Sequence, residues 1–504
     1  MSSAPTSMGK REIRGGTRTT PAFRRIKQAL LMMLFFMLCV PACSRLPSPG
    51  KQDPAPLPTA SLMKQYHASV DASMAPSPAG RLTLERAVSE ALVASPELSQ
   101  MQQRIHAADE QVRQAESGFY PRLIVTEDFN LTNNPVFALM DIINQRRLTV
   151  TTDFNHPGQQ QNFSTRMQGE WSLFEGGSTW YNRKAAVNQR RSVEADLLAA
   201  RNQLVAKVSE TYYRWLQALG FIAVAEKALE SAQTDERLGE ARQQAQMALP
   251  SEVARLKARR AEMQGNLVNA KTSSRRLQAG LERLMARPIG AAEIPEPGLT
   301  AAAGEASQGI ENTTTLVQQA LDKRPEMAAV RALIVAARER VRASRGGLLP
   351  HVGTNASYQL DSERLDGAAE SWLVAVQATW ALFEGGLTTA KINEAQARLK
   401  EMEAHGKQVA LDIALEVHQA ALAVQEAAEK IHVAAERKQW SEQALKEVRR
   451  QYQDQVVTVD ALLQAEVAWN QAEVGYTAAL FEGKIAQALL RQSLGDFAEG
   501  IGAT

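Results

Sequence analysis

The residues able to ligate metal or carry catalysis are scattered through this 504-residue chain. Its seven histidines are His67, His106, His156, His351, His405, His418 and His432. The last three lie 13 and 14 positions apart (418 − 405, 432 − 418), and at about 3.6 residues per turn that spacing does not bring all three to one helical face. No phosphate loop, nucleophile elbow or zinc-protease spacing is present. The histidines therefore read as surface residues, and no catalytic residue, cofactor or metal ligand is expected. The 15 Met form no cluster that would line a metal-export path. Of the two cysteines, Cys39 sits inside an apolar run and Cys43 just behind it, so no disulfide framework is available. The Cys43 thiol is the one nucleophile whose surroundings suggest modification.

Those surroundings are an export signal. Arg18, Arg24, Arg25 and Lys27 precede the apolar stretch from Ala29 to Val40, which ends in Val40-Pro41-Ala42-Cys43. About a dozen apolar residues span only ~18 Å as a helix, short of the ~30 Å hydrocarbon core, so a retained membrane helix is the weaker reading. Val40 to Cys43 resemble the bacterial lipoprotein cleavage box, with Pro41 an unusual occupant. That resemblance implies cleavage before a lipid-modified Cys43, and Ser44 behind it is compatible with sorting to the outer membrane. Residues 1–42 are then a signal peptide. Residues 43–80, with Pro47, Pro49, Pro54, Pro56, Pro58, Pro76 and Pro78, read as a lipidated tether.

The elements that follow come in two copies. Ala91-Leu92 and Pro96-Glu97-Leu98 recur as Ala320-Leu321 and Pro325-Glu326-Met327 at an offset of 229 (320 − 91). Pro121 meets Pro350 at the same offset. Trp171-Ser172-Leu173-Phe174-Glu175-Gly176-Gly177 meets Trp380-Ala381-Leu382-Phe383-Glu384-Gly385-Gly386 at 209 (383 − 174), so the first copy holds 20 extra residues (229 − 209) before its Phe. The order points to a duplicated, pseudo-symmetric fold. The first repeat covers 81–313, with a linker at 288–313, and the second covers 314–504.

Between the Pro and the Phe of each copy the pattern alternates with period two. Phe163, Thr165, Met167, Gly169, Trp171 and Leu173 oppose a polar parity in the expected strand 163–174. The strands 122–131, 352–361 and 371–383 alternate likewise, although Glu127 breaks the apolar face of the first. Each is roughly ten residues long, enough for a tilted membrane strand, with Trp171, Tyr358, Trp372 and Trp380 as interface aromatics. Four strands cannot close a barrel, and open edges in lipid leave backbone groups unpaired at several kcal/mol each. Several protomers must share one barrel: two would give eight strands and three would give twelve. The polar stretch from Thr132 to Asn162 reads as an external loop.

Long helices complete each copy, at 178–247 and 251–287, then at 387–455 and 458–495, with Ser251 and Thr458 as candidate N-caps of the returning helices. Shorter helices, Pro96 to Gly118 and Pro325 to Arg345, precede the strands. Gly176, Gly177, Gly385 and Gly386 let the chain turn from strand into helix. A net charge of +2, with acids and bases interleaved, implies no nucleic-acid partner.

Taken in order, Pro121-Arg122-Leu123, Pro350-His351-Val352, both Leu-Phe-Glu-Gly-Gly motifs, and Arg450-Gln451-Tyr452 through Thr458-Val459-Asp460-Ala461-Leu462-Leu463-Gln464-Ala465-Glu466 resemble the TolC-like outer membrane efflux proteins, over about Leu82 to Gly495. The resemblance implies a mainly α fold with membrane β: a homotrimer in which four strands per protomer build a shared 12-stranded barrel above long periplasmic coiled-coil hairpins. It implies a passive exit duct for small molecules, working with a periplasmic adaptor and an inner-membrane pump. Type I protein secretion and a non-conducting envelope scaffold are the alternatives. Adaptor docking then falls on the helical tips, at Arg242, Pro250, Ser251, Arg449 and Thr458. The family's acidic entrance ring maps onto Ala461 and Gln464, a departure that leaves Asp454, Asp460 and Gln464 as constriction candidates.

Overall fold

The computed structural model describes residues 80–295, 312–364 and 368–496. The expected signal peptide, Cys43, nearly all of the tether, most of the linker and the tail lie outside the described residues. The described residues divide into two compact units, one within 122–170 and 354–376, the other within 80–121, 171–353 and 377–496.

The first unit is built on a sheet of strand order β1-β2-β3-β4, comprising β1 (Arg122–Thr132), β2 (Gln160–Glu175), β3 (His351–Ser362) and β4 (Ala369–Thr379). β1 and β2 are antiparallel, with Phe129 opposite Phe163 and Arg122 opposite Glu170. The two Phe rings lie 4.7 Å apart. On that face Leu123, Val125, Phe129, Leu131, Trp372 and Val376 are all more than half exposed. A stripe of apolar strand side chains left bare in this way suits lipid. Glu127, which breaks the stripe, accepts a hydrogen bond from the Thr165 hydroxyl. The opposite face is polar and interlocked, with Asn162 donating to Asp361 at 2.9 Å and Arg166 to Gln359 at 2.9 Å.

Two findings correct the sequence expectation here. β4 stops at Thr379 rather than Phe383, because its neighbour β3 begins only at His351 and no other strand among the described residues lies alongside 380–383. The stretch between β1 and β2, read as a loop, contains a helix, Pro135–Asn144, whose Asn134 side chain accepts from the Val136 and Phe137 amides.

The second unit is helical. In chain order its helices are α1 (Leu84–Ala94), α2 (Pro96–Ser117), α4 (Ser178–Gln244), α5 (Pro250–Met285), α6 (Thr313–Lys323), α7 (Pro325–Arg345), α8 (Leu387–Gln453) and α9 (Val459–Leu494), with the Pro135–Asn144 helix of the other unit taking the label α3. α1 and α6 were not anticipated as separate helices. Each ends one residue before a Ser95-Pro96 or Arg324-Pro325 step, where proline disfavours helix in the preceding residue. α4 and α8 have 67 residues each, ~100 Å of helix. α4 packs on α2, α5, α7 and α9, and α8 on α7 and α9. Small residues at the contacts, such as Ala185, Ala195, Ala199 and Ala218, allow this close approach. The largest core joins Leu82, Val88, Leu204, Val208, Trp215, Leu281 and Met285. The Tyr212 hydroxyl donates to the Leu82 carbonyl at 2.9 Å, and burial pushes its pKa up to about 12. No helix among the described residues is long and apolar enough to cross a membrane.

Candidate functional site: strand exits and helical tips

The motif Leu-Phe-Glu-Gly-Gly is one local machine used twice. Both Gly pairs are left-handed, with φ of +62° and +81° at Gly176 and Gly177 and of +60° and +88° at Gly385 and Gly386, a region where a Cβ is penalised. The Glu before each pair accepts from a Thr four residues on: Thr179 to Glu175 at 2.6 Å, and Thr388 to Glu384 at 2.6 Å. Neither long helix has a side-chain N-cap, so these carboxylates fix the first turn and sit at the positive end of the helix dipole. The motif Trp in each copy donates its indole N–H to the turn that enters the strands, Trp171 to the Phe119 carbonyl at 3.0 Å and Trp380 to that of Leu348 at 3.2 Å.

The copies differ in one respect. A Cβ on Gly176 would lie 2.1 Å from the Gly346 carbonyl oxygen, whereas one on Gly385 or Gly386 would meet nothing within 4 Å. The first exit is packed against the second copy's entry turn, and among the described residues the second exit has no such neighbour.

At the far ends of α4 and α8 the two tips turn identically. Gln246 and Gln455 are left-handed at φ of 59° and 62°. The Met247 amide donates back to the Arg242 carbonyl at 2.8 Å, as Val456 does to Gln451 at 2.8 Å. Arg242 crosses between the tips: Nη2 donates to the Tyr452 and Gln453 carbonyls, both at 2.7 Å, and the guanidinium stacks 4.6 Å from the Tyr452 ring. A cation thus caps the C-terminus of α8.

Thr458 is the N-cap of α9, its hydroxyl accepting from the Ala461 amide at 3.4 Å. Ser251 is not a cap. α5 begins at Pro250 after Leu249, with no side-chain cap, because proline occupies the first helical position and Ser251 already lies inside the helix. Of the constriction candidates, Asp460 is bound by Arg255, 2.6 Å from Nη1 to Oδ2, which offsets its charge. Asp454 is the C-cap residue of α8, and Gln464 is exposed on α9.

Behind the tips lies a polar cluster that no sequence pattern announced. Asp235 of α4 and Glu466 of α9 are buried, at 1% and 4% exposure, and Arg449 of α8 joins them. Arg449 Nη2 donates to Asp235 Oδ2 at 3.0 Å, to Glu466 Oε1 at 3.1 Å and to the Ser231 hydroxyl. Ser231 in turn donates to Glu466 Oε1 at 3.0 Å. Arg259 of α5 stands 3.8 Å from Glu466 Oε2 and is itself bound by Glu262 at 2.8 Å. Burial, aided by the neighbouring Asp235, pushes the Glu466 carboxyl up to about 8 against the opposing pull of Ser231 and Arg449. The helices therefore meet around a buried cluster in which Arg449 faces Asp235 and Glu466 together, and the closeness of the two carboxylates disfavours ionising both. Among the described residues no group of three or more His, Cys, Asp or Glu is placed to hold a metal.

The duplication, the shared exits and the paired tips meet their counterpart in a family model. Residues 87–287 and 316–496 match the model described as outer membrane efflux protein. The chain belongs to the outer membrane efflux protein family. Its fold is similar to that of CusC, with a TM-score of 0.70 at 17% identity, covering 82% of this chain and 92% of that one. A membrane protein from Pseudomonas aeruginosa gives 0.71 at 21%, with 82% and 93% covered. The CmeC outer membrane channel of Campylobacter jejuni gives 0.70 at 15%, with 82% and 85% covered. No curated protein matches the sequence. One matched segment falls inside each repeat.

Proposed function

We propose that this outer membrane efflux protein is one of three protomers of a passive exit duct, which carries small molecules out of the cell as the outer-membrane part of a tripartite system with a periplasmic adaptor and an inner-membrane pump. The observation that carries the reading is a four-stranded sheet with free β1 and β4 edges and an exposed apolar face. In lipid those edges must pair, and β4 of one copy with β1 of the next satisfies both.

Two further features favour several copies. The empty space at Gly385 is where a neighbouring copy's entry turn would sit, as Gly346 sits at Gly176 within the chain. On α8, Leu411, Leu415, Leu422, Val433 and Trp440 form a bare stripe at coiled-coil spacing. Twelve strands follow from three protomers. Cys43 would carry a lipid that fastens each protomer to the outer membrane, and the tips around Arg242, Pro250, Ser251, Arg449 and Thr458 would receive the adaptor.

The experiment is extraction of the full chain in detergent, followed by sizing and reconstitution into planar bilayers. A trimer with ion-conducting pores supports the duct. A monomer without conductance overturns it.

A further inference from the structure

Helix α3, between β1 and β2, is built inside out for a surface helix. Its buried positions are Ala138, Asp141 and Ile142, followed by Gln145, while Val136, Phe137, Met140 and Ile143 are exposed, at 69%, 64%, 50% and 41%. Four bare apolar side chains on one short helix are unfavourable in water, and such a patch marks a contact.

The helix is not free to turn that face elsewhere, because its other side is bolted to the polar face of the sheet. Asn130 of β1 reaches Asp141 at 3.5 Å. Gln145 donates to the Asn162 side chain of β2 at 2.9 Å and to the Gln161 carbonyl at 2.8 Å. Asn162 continues to Asp361 of β3, and Arg146 donates to the Glu370 carbonyl of β4 at 2.7 Å. Arg147 pairs with Glu363 behind β3 at 3.1 Å. Residues 141–147 thus touch β1, β2 and β4 directly and reach the β3 side through Asn162 and Glu363, on the face opposite the lipid-suited Leu123, Val125 and Phe129.

We infer that α3 is a constricting element of the duct, and that the partner of its apolar face is the same face of α3 in the other two copies. This inference rests on the shared-barrel reading above. If the apolar strand face meets lipid, the polar face lines the lumen, and a helix fixed on the polar face is held inside the barrel wall. Rotation of the protomer about the barrel axis then carries three such helices toward that axis, each offering Val136, Phe137 and Met140. The three faces bury one another and form an apolar constriction, which impedes ions by excluding water. The polar bolts keep the helices on the wall, and the apolar contact is what narrows the opening between them.

The test uses the full chain, extracted and reconstituted in planar bilayers, with two readouts. Phe137→Cys should form disulfide-linked dimers within the trimer under mild oxidation. The double variant Phe137→Asp with Met140→Asp should assemble as a trimer and conduct severalfold more than the unaltered chain. If the aspartates prevent assembly, Phe137→Ser with Met140→Ser gives the same comparison. An unaltered chain that forms no pores removes the duct reading itself. Pores in the unaltered chain, with no cross-linking at position 137 and unchanged conductance in the polar variant, overturn this inference alone, as would a photoactivatable residue at 137 that labels lipid instead of protein.

Discussion

Gly176 and Gly346 meet backbone to backbone: a Cβ on Gly176 would fall 2.1 Å from the Gly346 carbonyl oxygen and 2.8 Å from its Cα. No flexible side chain can yield there, so Gly176→Ala adds a backbone clash to the cost of a left-handed residue, itself about 1 kcal/mol. Gly385→Ala carries only the conformational cost within one chain. The variants should part company accordingly. Gly176→Ala should lower helical content by circular dichroism, while Gly385→Ala should keep it and instead weaken trimer formation on sizing. Equal behaviour of the two variants would contradict the unequal packing of the exits.

The Glu466 carboxyl gives a pH dependence of defined sign. Its ordinary value is 4.5 and its folded value about 8, so the folded protein binds the extra proton between those limits. Stability from this group is fully present below 4.5 and is lost as pH rises through about 8. Tm should fall from mildly acid to alkaline conditions, and Glu466→Gln, which keeps the shape without the ionisation, should flatten that fall. An unchanged slope in the glutamine variant would show that Glu466 is not the titrating group.

Arg242 holds two carbonyls at the end of α8 and stacks on Tyr452. Arg242→Ala should cost about 1 kcal/mol, the scale of a charge-assisted helix C-cap. Its clearest sign is faster amide exchange over residues 450–458, with the core around Trp215 unaffected. Protection at 450–458 as strong as in the unaltered chain would count against the crossing contact.

Trp372 stands 74% exposed on the apolar strand face. Trp372→Arg should oppose membrane assembly by about 2–4 kcal/mol if that position lies near the bilayer midplane, and by less toward an interface. The measurement is the fraction of protein recovered as detergent-resistant trimer in membranes. Full recovery would mean that this face does not meet lipid.

Much of the architecture was legible because it rests on short-range signals. The period-two alternation announced β1 to β4, and the absence of proline from residues 178–247 announced α4. The Gly pairs marked where strand gives way to helix, and both are left-handed. Legibility failed where the deciding partner is distant. The alternation of 380–383 reads as strand, yet pairing decides strand, and among the described residues no strand lies alongside them. α3 was hidden for another reason: Asn134-Pro135 is both a turn signal and a helix start, and only the apolar run after it could have tipped the reading. The Asp235, Arg449 and Glu466 cluster draws one residue from each of three helices, so no local spacing exposes it. Ser251 looked like a cap, but Pro250 begins the helix before it.

The exit duct requires the free edges of β1 and β4 to close into a shared pore. The direct measurement is single-channel conductance of the purified, detergent-extracted chain in planar bilayers, with its oligomeric state fixed by sizing in the same detergent. A shared pore gives a trimer and discrete ion-conducting steps. A monomer, or a trimer that never conducts, would contradict it.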